Sequence, residues 1–456
     1  MAREKYKSAW FCNECGAESP KWEGRCPACG AWNSMTEERV PTGPSRSPSP
    51  VASRESRRAV ALNDIDAAEM PRIKLPSGEL NRVLGGGLVP GEMVLIGGEP
   101  GVGKSTLVLQ NLLAIRSKTI LYVSGEESAT QLKMRADRLE RGSDNLFVVC
   151  ETSLERIFDQ IENVSPGIIV IDSIQTIASD VLESSAGSVS QVRECAARLL
   201  KYAKDTSVPV LLIGHITKDG SIAGPKVLEH IVDAVLQFEG DRQYMFRILR
   251  AIKNRFGNTS ELGIYEMGRR GLREVLNPSE LLLGTGHGDL SGVTAGVTVE
   301  GARPFLIEVQ ALVSTAAYGT PQRSVTGFDS KRMNMLLAVL EKRAGFKLAA
   351  KDVFLNIAGG LRVNDPALDL PVISAILSSN FDVAIGGDIC LAGEVGLSGQ
   401  IRPVSRLEQR IGEARKLGMR RILVPEGNLK GIDTSAYDIE VVECPTVAEA
   451  VKQLFA

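Results

Sequence analysis

Residues 93–106 read "MVLIGGEPGVGKST", a strand-length apolar run that breaks into glycines and ends in a lysine and two hydroxyls. Gly98, Gly103, Lys104 and Ser105 fit G-x-x-x-x-G-K-[ST], a spacing that dictates a strand, a tight loop and a helix in that order. The loop glycines let backbone N–H groups wrap a phosphate, and the positive end of the following helix faces the same point. Gly98, Glu99, Pro100, Gly101, Val102, Gly103, Lys104, Ser105 and Thr106 are therefore the expected ATP cradle. In it Lys104 reaches the β/γ oxygens and Ser105 holds Mg2+.

The flanking pattern extends the same architecture. From about 58 to 280, apolar runs ("MVLIGG", "TILYVS", "NLFVVC", "GIIVID", "VPVLLIGH") alternate with amphipathic stretches, the signature of an α/β fold with a parallel sheet covered on both faces. "AVLQFEG" and "YMFRILRAIK", joined by Gly240 and Asp241, suggest a terminal hairpin. Ligands of such sheets gather at the carboxyl ends of the strands, which directs attention to three runs. "GIIVIDS" supplies Asp172 as a second group on the metal side. "LYVSGEES" offers Glu126 and Glu127, of which Glu126 is the expected carboxylate to orient or deprotonate the attacking water, while Glu127 suits the first turn of the next helix. His215 ends "VPVLLIGH", where it either senses the γ-phosphate or is satisfied by a neighbouring helix or loop.

Composition narrows the rest. With 456 residues, 43% of them hydrophobic, the chain can bury more than one core, and its net charge of −2 excludes a globally basic nucleic-acid binder but not a local basic face. No apolar run approaches the roughly 18 residues of a spanning helix and no signal-peptide core is visible, so a cytoplasmic protein is expected. Four of the eight cysteines, Cys12, Cys15, Cys26 and Cys29, form two C-x-x-C knuckles in "FCNECGAESPKWEGRCPACG", the pattern of a four-thiolate Zn2+ site. Cys150, Cys195, Cys390 and Cys444 are expected as small core residues. Trp10, Trp22 and Trp32 lie in or beside the zinc module, either to stack on bases or partners or, preferably, to fill its small core. Residues 36–57 are rich in Pro, Ser and Arg, as in a flexible tether. The expected division is a zinc finger over 1–35, the tether, an ATPase domain over 58–280 and a second α/β domain over 281–456 carrying the helical stretch "SKRMNMLLAVLEKRAG".

The stretch "AIKNRFG" over 251–257 places two cations, Lys253 and Arg255, on one face of a strand, either as a charged sheet edge or facing something negative. The cradle with its leading segment "SGELNRVLGGGLVPGEMVLIGG", the Glu126 and Asp172 strands and the hairpin together resemble the RecA-type ATPase core shared by recombinases, DnaB-type hexameric helicases and KaiC-like proteins. With the cysteine knuckles, "KNRFG" and the tail, the whole chain resembles the bacterial RadA (Sms) family. That resemblance implies a DNA-dependent ATPase of recombinational repair, with single-stranded or branched DNA and a RecA-type recombinase as partners. It also implies a homo-oligomeric ring, a hexamer, with ATP between subunits and Lys253 and Arg255 as fingers on the neighbour's γ-phosphate.

The tail, from about 285, resembles the proteolytic domain of Lon through "VNDPALDLPVISAIL" and "LAGEVGLSGQIRPVSRLEQRIGEARKLGMRRILVP". Ala367 stands where that family has its serine and Glu408 where it has its lysine, so the resemblance implies a scaffold without peptidase chemistry. Arg402, Arg406 and Arg410, with Lys342, Arg343 and Lys347, either line a nucleic-acid face or are ordinary solvated charges. Two loops are expected at DNA: "SDVLESSAGSVSQVR" over 179–193, read as flexible, and "TKDGSIAGPK", with Lys218 and Lys226 near its ends. A DNA motor, a KaiC-like nucleotide-switched ring acting on protein partners, and an ATP-dependent protease are the three competing functions, and Ala367 and Glu408 weigh against the last.

Overall fold

The computed structural model describes residues 6–12, 16–41, 71–139, 142–215, 227–240, 246–283, 290–316, 320–360 and 363–455. They fall into two compact units, Met1–Glu274 and Val275–Ala456, so the second unit begins six residues before the expected boundary at 281.

The first unit opens with β1 (Tyr6–Cys12), β2 (Glu18–Ser19) and β3 (Met35–Pro41), an antiparallel ribbon in the order β2-β1-β3. Residues 36–41, assigned by composition to the tether, pair in full register with β1, Tyr6 opposite Pro41 and Cys12 opposite Met35. Cross-strand hydrogen bonds, not apolar periodicity, hold them, which is why a hydrophobicity pattern passed them over.

The larger body contains α1 (Gly78–Leu84), β4 (Met93–Gly98), α2 (Lys104–Leu112), β5 (Ile120–Ser124), α3 (Ala129–Arg138), β6 (Leu146–Cys150) and α4 (Leu154–Val164). It continues with β7 (Ile168–Asp172), α5 (Val189–Thr206), β8 (Val210–His215), α6 (Val227–Ile231), β9 (Ala234–Glu239), β10 (Phe246–Asn254), β11 (Leu262–Gly268) and β12 (Gly271–Glu274). The sheet runs β12-β11-β10-β9-β4-β8-β7-β5-β6. From β9 to β6 the pairings are parallel and the side chains of β4, β5 and β7 are buried on both faces, as the unbroken apolar runs require. One apolar layer gathers Val94, Ile96, Leu107 and Val170, and the other Leu95, Leu121, Ile171 and Leu199, so each face of the sheet has its own helices. The hairpin of β9 and β10 is antiparallel, as its sequence suggested. Ser128 caps α3 in a reciprocal capping box with Gln131, fixing where that helix starts after β5.

The second unit comprises α7 (Pro278–Leu282), β13 (Val293–Glu300), β14 (Arg303–Thr315), β15 (Arg323–Thr326), α8 (Ser330–Ala344), β16 (Lys351–Ile357) and α9 (Asp369–Phe381). It ends with β17 (Ile389–Leu391), β18 (Glu394–Val395), β19 (Ile401–Arg402), α10 (Leu407–Lys416), β20 (Arg421–Pro425), β21 (Glu440–Cys444) and α11 (Val447–Phe455). Its mixed sheet runs β15-β16-β14-β13-β17-β20-β21. The helix expected from "SKRMNMLLAVLEKRAG" is α8, started by Asp329, whose side chain accepts the Arg332 N–H, and stopped by Gly345 at φ 80°.

Glu92, just before β4, is fully buried. One carboxylate oxygen accepts the Val89 N–H at 2.9 Å, and the other has no hydrogen-bond partner. Burial pushes its pKa from 4.5 up to about 7, with the Val89 hydrogen bond pulling down and the nearby Asp233 charge pushing up. The folded chain therefore holds this proton more tightly than the unfolded chain. Stability falls as pH rises from 4.5 to 7 and levels off above, a loss of roughly 3 kcal/mol. Glu92→Gln keeps an acceptor for Val89 and removes the titration. Urea unfolding across this window is expected to show the variant gaining on the wild type toward pH 7, by an amount of that order.

Candidate ATPase site and zinc ribbon

The cradle glycines are needed for packing as well as turning. A Cβ on Gly98 would lie 2.4 Å from the Phe238 carbonyl oxygen on β9, and one on Gly103, whose φ is +112°, would lie 2.7 Å from Met267 Cε on β11. Lys104, at the start of α2, folds its buried side chain over the loop: Nζ donates to the carbonyls of Gly98 at 2.8 Å and Glu99 at 3.0 Å and lies 3.3 Å from His215 Nδ1. Burial lowers its pKa, while the charges of Asp172 and Glu126 oppose the shift. These carbonyl contacts hold the ammonium at the mouth of the loop, poised for a group with more negative charge.

The expected acids separate into distinct roles by their partners. Asp172 ends β7 and accepts the Tyr122 hydroxyl at 2.5 Å, a contact buried beneath the sheet edge. Burial and then the Asp172 charge push the Tyr122 hydroxyl well above its usual pKa, so it stays a donor. Glu126 follows β5 and accepts from Ser173 Oγ at 2.6 Å, and the same oxygen lies 3.2 Å from His215 Nε2. Burial would raise its pKa, but the Ser173 and His215 hydrogen bonds and the His215 and Lys104 charges outweigh it, so Glu126 is held below the ordinary carboxylate range. Lys104, His215, Glu126 and Ser173 thus form one continuous polar chain across three strand ends. Glu127 points elsewhere and, contrary to expectation, lies before the Ser128 cap of α3 and not in its first turn: its carboxylate pairs with Arg135 on α3, and its backbone N–H and carbonyl both bond Ser124 Oγ. Tyr122 and Ser173 were not anticipated. Tyr122 is an unremarkable β5 core residue by pattern, and a serine beside an acid carries no signal until the fold shows what it faces.

The cations of "KNRFG" lie at the other end of the sheet. A bulge between Ala251 and Lys253 exposes Ile252 and resets the alternation, so Lys253 pairs with Val235 and Asn254 with Ala234. Lys253 Nζ donates to the carbonyls of Glu229 at 2.6 Å and Val232 at 2.8 Å, and burial followed by the Arg255 charge lowers its pKa. Arg255 is more than half exposed, with Nη1 3.3 Å from Asp233 Oδ1. Asp233 also accepts the N–H of Met93, the first residue of β4, whereas the phosphate loop leaves β4 after Gly98. Five strand residues, about 17 Å, separate the two ends. Neither cation is near the cradle of its own chain.

In the ribbon, the Sγ atoms of Cys12, Cys26 and Cys29 lie within 4.8 Å of one another, and Cys15 lies outside the described residues. The two knuckles match: Gly16 N–H donates to the Cys12 carbonyl and Gly30 N–H to that of Cys26, both glycines at positive φ. Such convergent thiols suit a tetrahedral zinc ion. Trp10 packs against the cysteines, but Trp22 and Trp32 are 54% and 71% exposed, contrary to the expectation that all three fill the core. The small core around Cys12 and Cys26 is filled by Met35, Trp10 and Ala17, which leaves the other two indoles in solvent. Cys150 is likewise exposed on the edge strand β6, while Cys195, Cys390 and Cys444 are buried as expected.

Two further expectations change. Residues 179–193 are not a loose loop: Gln191 in α5 bonds the Ser179 backbone and the carbonyls of Leu182 and Ser184, while Arg198 ties Glu155 to Ser179. Lys218 and Lys226 lie outside the described residues. In the second unit, Arg410 cannot line a nucleic-acid face, because it is 1% exposed, paired with Asp365 at 2.7 Å and bonded to the carbonyls of Val297 and Ser405. Arg402, Arg406, Lys342, Arg343 and Lys347 remain exposed. Ala367 is fully buried and Glu408 exposed, its carboxylate 3.4 Å from the Tyr437 hydroxyl.

A phosphate loop at the carboxyl edge of a parallel sheet, with an acid, a histidine and a buried lysine converging on it, defines a P-loop ATPase, here joined to a zinc ribbon. Family models agree: residues 57–221 match an AAA domain, 10–37 a rubredoxin metal binding domain and 309–428 subunit ChlI of Mg-chelatase. The chain is 49% identical to a DNA repair protein RadA of Bacillus subtilis over 98% of both sequences, and 47% identical to one of Listeria monocytogenes over 99% of both. It belongs to the DNA repair protein RadA family. A solved KaiC-like protein of Pyrococcus horikoshii aligns at 21% identity and a TM-score of 0.39, covering 45% of this chain and 99% of its own. The chain is an ATP-hydrolysing enzyme whose cofactors are Mg2+ with ATP and Zn2+ in the ribbon. Its second unit is the ChlI- or Lon-like domain that the tail resembled. Among the described residues no helix is long and apolar enough to cross a membrane.

Removing one partner of a buried ion pair strands the other charge, so Arg410→Met is expected to cost about 3–5 kcal/mol in urea unfolding of the full chain. Arg402→Met, at the exposed position of strand β19, is expected to stay within about 0.5 kcal/mol.

Proposed function

We propose that this chain is a DNA-dependent ATPase of recombinational repair that works as a ring, a hexamer, on single-stranded or branched DNA. Acting beside a RecA-type recombinase in the cytoplasm, it promotes branch migration and processing of recombination intermediates. The repair role of the relatives named above supports this reading. The observation that carries the ring is the separation along β4: Arg255 sits at the amino end with Asp233, and Lys104 sits at the carboxyl end with Gly98. Cations so placed have no work at their own nucleotide and are available to a neighbour's.

In this reading Glu99 to Thr106 wrap the phosphates, and Lys104 exchanges its carbonyl partners for the β/γ oxygens. Ser105 and Asp172 would hold Mg2+, which would supply charge neutralisation on those oxygens. Glu126 accepts the proton of the attacking water or orients it, with Ser173 fixing its carboxylate. His215, bridging Lys104 and Glu126, exchanges one of those contacts for the γ-phosphate and so reports its presence. Lys253 and Arg255 of one subunit stabilise the charge developing on the nucleotide of the next. Lys218 and Lys226 are the candidate DNA contacts. The ribbon runs to Pro41 and the second α/β domain starts at Val275, both shifted from the limits expected from sequence, with the tether and the ATPase domain between them. The Lon-like unit is a scaffold without peptidase activity, because the buried methyl of Ala367 and the carboxylate of Glu408 supply neither nucleophile nor base.

Mixing Lys104→Ala and Arg255→Ala subunits tests the arrangement. Mixed rings are expected to regain part of the DNA-stimulated hydrolysis, at boundaries pairing an intact cradle with an intact finger. Rings as inactive as either variant alone exclude action across a boundary, and hydrolysis indifferent to DNA favours a nucleotide switch acting on proteins. Within the cradle, Glu126→Gln is expected to lower kcat by about 10^2–10^4 with Mg·ATP binding retained. Glu127→Gln, which loses only the Arg135 pair, is expected to remain within about threefold.

A further inference from the structure

Asp233 is an acid with no direct part in the proposed reaction. It lies between α6 and β9, 1% exposed, and every one of its polar atoms is engaged at the amino end of the sheet. Oδ2 accepts the Met93 N–H at 3.0 Å and Lys204 Nζ at 2.6 Å, and Oδ1 faces Arg255 Nη1 at 3.3 Å. Its backbone closes the same knot: the Asp233 N–H donates to the Met93 carbonyl, and its carbonyl accepts the Arg255 N–H at 3.1 Å. One residue thus fixes both the main chain and the head group of Arg255 to the rigid strand β4.

The surrounding contacts leave this loop little freedom. Asn254 Nδ2 donates to the Val83 carbonyl at 3.1 Å, and Arg72 Nη2 to that of Phe256 at 2.6 Å. A Cβ on Gly257 would lie 2.9 Å from Gly85 Cα. Lys204 Nζ, besides gripping Asp233, lies 5.7 Å from the centre of the Phe256 ring. Against this rigidity, the Asp233–Arg255 contact is single and long while the Asp233–Lys204 contact is short. A carboxylate shared in that ratio orients a guanidinium without capturing it, and Arg255 keeps more than half of its side chain in solvent.

We propose that Asp233 is the positioning residue that presents Arg255 to the nucleotide phosphate held by a second copy of the chain, and that Lys204 sets how loosely Asp233 holds it. The proposal rests on the reading of Arg255 as a finger acting across a subunit boundary. It adds to that reading a residue remote from the cradle whose only route to the chemistry is Arg255. Positioning of this kind alters kcat more than substrate binding.

The test measures kcat, KM and Mg·ATP affinity of the full chain with DNA for Asp233→Asn, Arg255→Ala, the double variant and Lys204→Gln. Asp233→Asn is expected to lower kcat about 10- to 100-fold with KM and affinity kept. The double variant is expected to match Arg255→Ala within about threefold, since one pathway cannot be lost twice. Lys204→Gln, a substitution at a partly exposed side chain, leaves Arg255 as the only cation on the carboxylate. It is expected to lower kcat about fivefold, and this arm decides the matter should Asp233→Asn fail to fold. Losses that multiply in the double variant, an Asp233→Asn enzyme of normal kcat beside an impaired Arg255→Ala, or a Lys204→Gln enzyme of unchanged kcat each overturn the proposal. An Arg255→Ala enzyme of normal kcat is a different failure. It removes the finger reading itself, and the proposal with it.

Discussion

Strand β4 is the member on which the rest of the molecule depends. It is buried on both faces, bonded along its length to β8 on one side and β9 on the other, and has no water with which to exchange a hydrogen bond. Its stiffness gives the two ends separate characters. At the carboxyl end the chain must turn away from the sheet, and Gly98 and Gly103 allow this against Phe238 and Met267. At the amino end Glu92 and Asp233 are buried side by side, one pushed toward the neutral form and the other held by two cations and a backbone amide. A strand about 17 Å long cannot bring those ends together. A catalytic arrangement needing both has to be completed by another copy of the chain, which is the basis of the proposed ring.

The polar chain at the carboxyl edge is arranged so that nucleotide has something to displace. Lys104 is buried, and the backbone carbonyls that hold it provide dipoles where a phosphate provides full charges. His215 sits between Lys104 and Glu126, so that in the proposed reading contact with a γ-phosphate at one ring nitrogen would be felt at the carboxylate through the other. Ser173 supplies the fixed point, since its hydroxyl, fully buried, holds the Glu126 carboxylate whatever His215 does. Under the proposed reading this is how occupancy and water activation are linked without movement of the sheet.

The second unit is organised around a buried ion pair. Asp365 caps the turn at Ala367, accepts from Thr298 and Val299, and pairs with Arg410 reaching in from α10. The turn and the helix that in the Lon family bring serine to lysine are here fastened by a buried ion pair. Breaking such a pair is costly, though forming it adds little stability over an apolar pair of the same size. Its contribution is a fixed geometry between α9 and α10.

Much of this was legible in the chain alone, wherever a local pattern has a single physical solution. Consecutive apolar residues ending in Gly-Lys-Ser can hardly be other than a buried strand turning into a phosphate loop, and paired C-x-x-C knuckles leave few alternatives to a metal. Carboxylates at strand ends were located by counting, but only the fold separates Glu126 from Glu127: both precede the Ser128 cap of α3, and Glu127 turns to Arg135 while Glu126 faces Ser173 and His215. What sequence could not rank were side chains whose environment is made by distant segments. Arg410 reads as one more helix cation until β13 and Asp365 close over it, and Trp22 and Trp32 read as core until the thinness of the ribbon leaves them outside. Ser173 and Asp233 carry no motif, and each gained its place only when strands far apart in sequence became neighbours. Short-range order follows from residue spacing because backbone geometry repeats; burial and charge pairing are decided by which surfaces meet, and that was settled only by the tertiary fold.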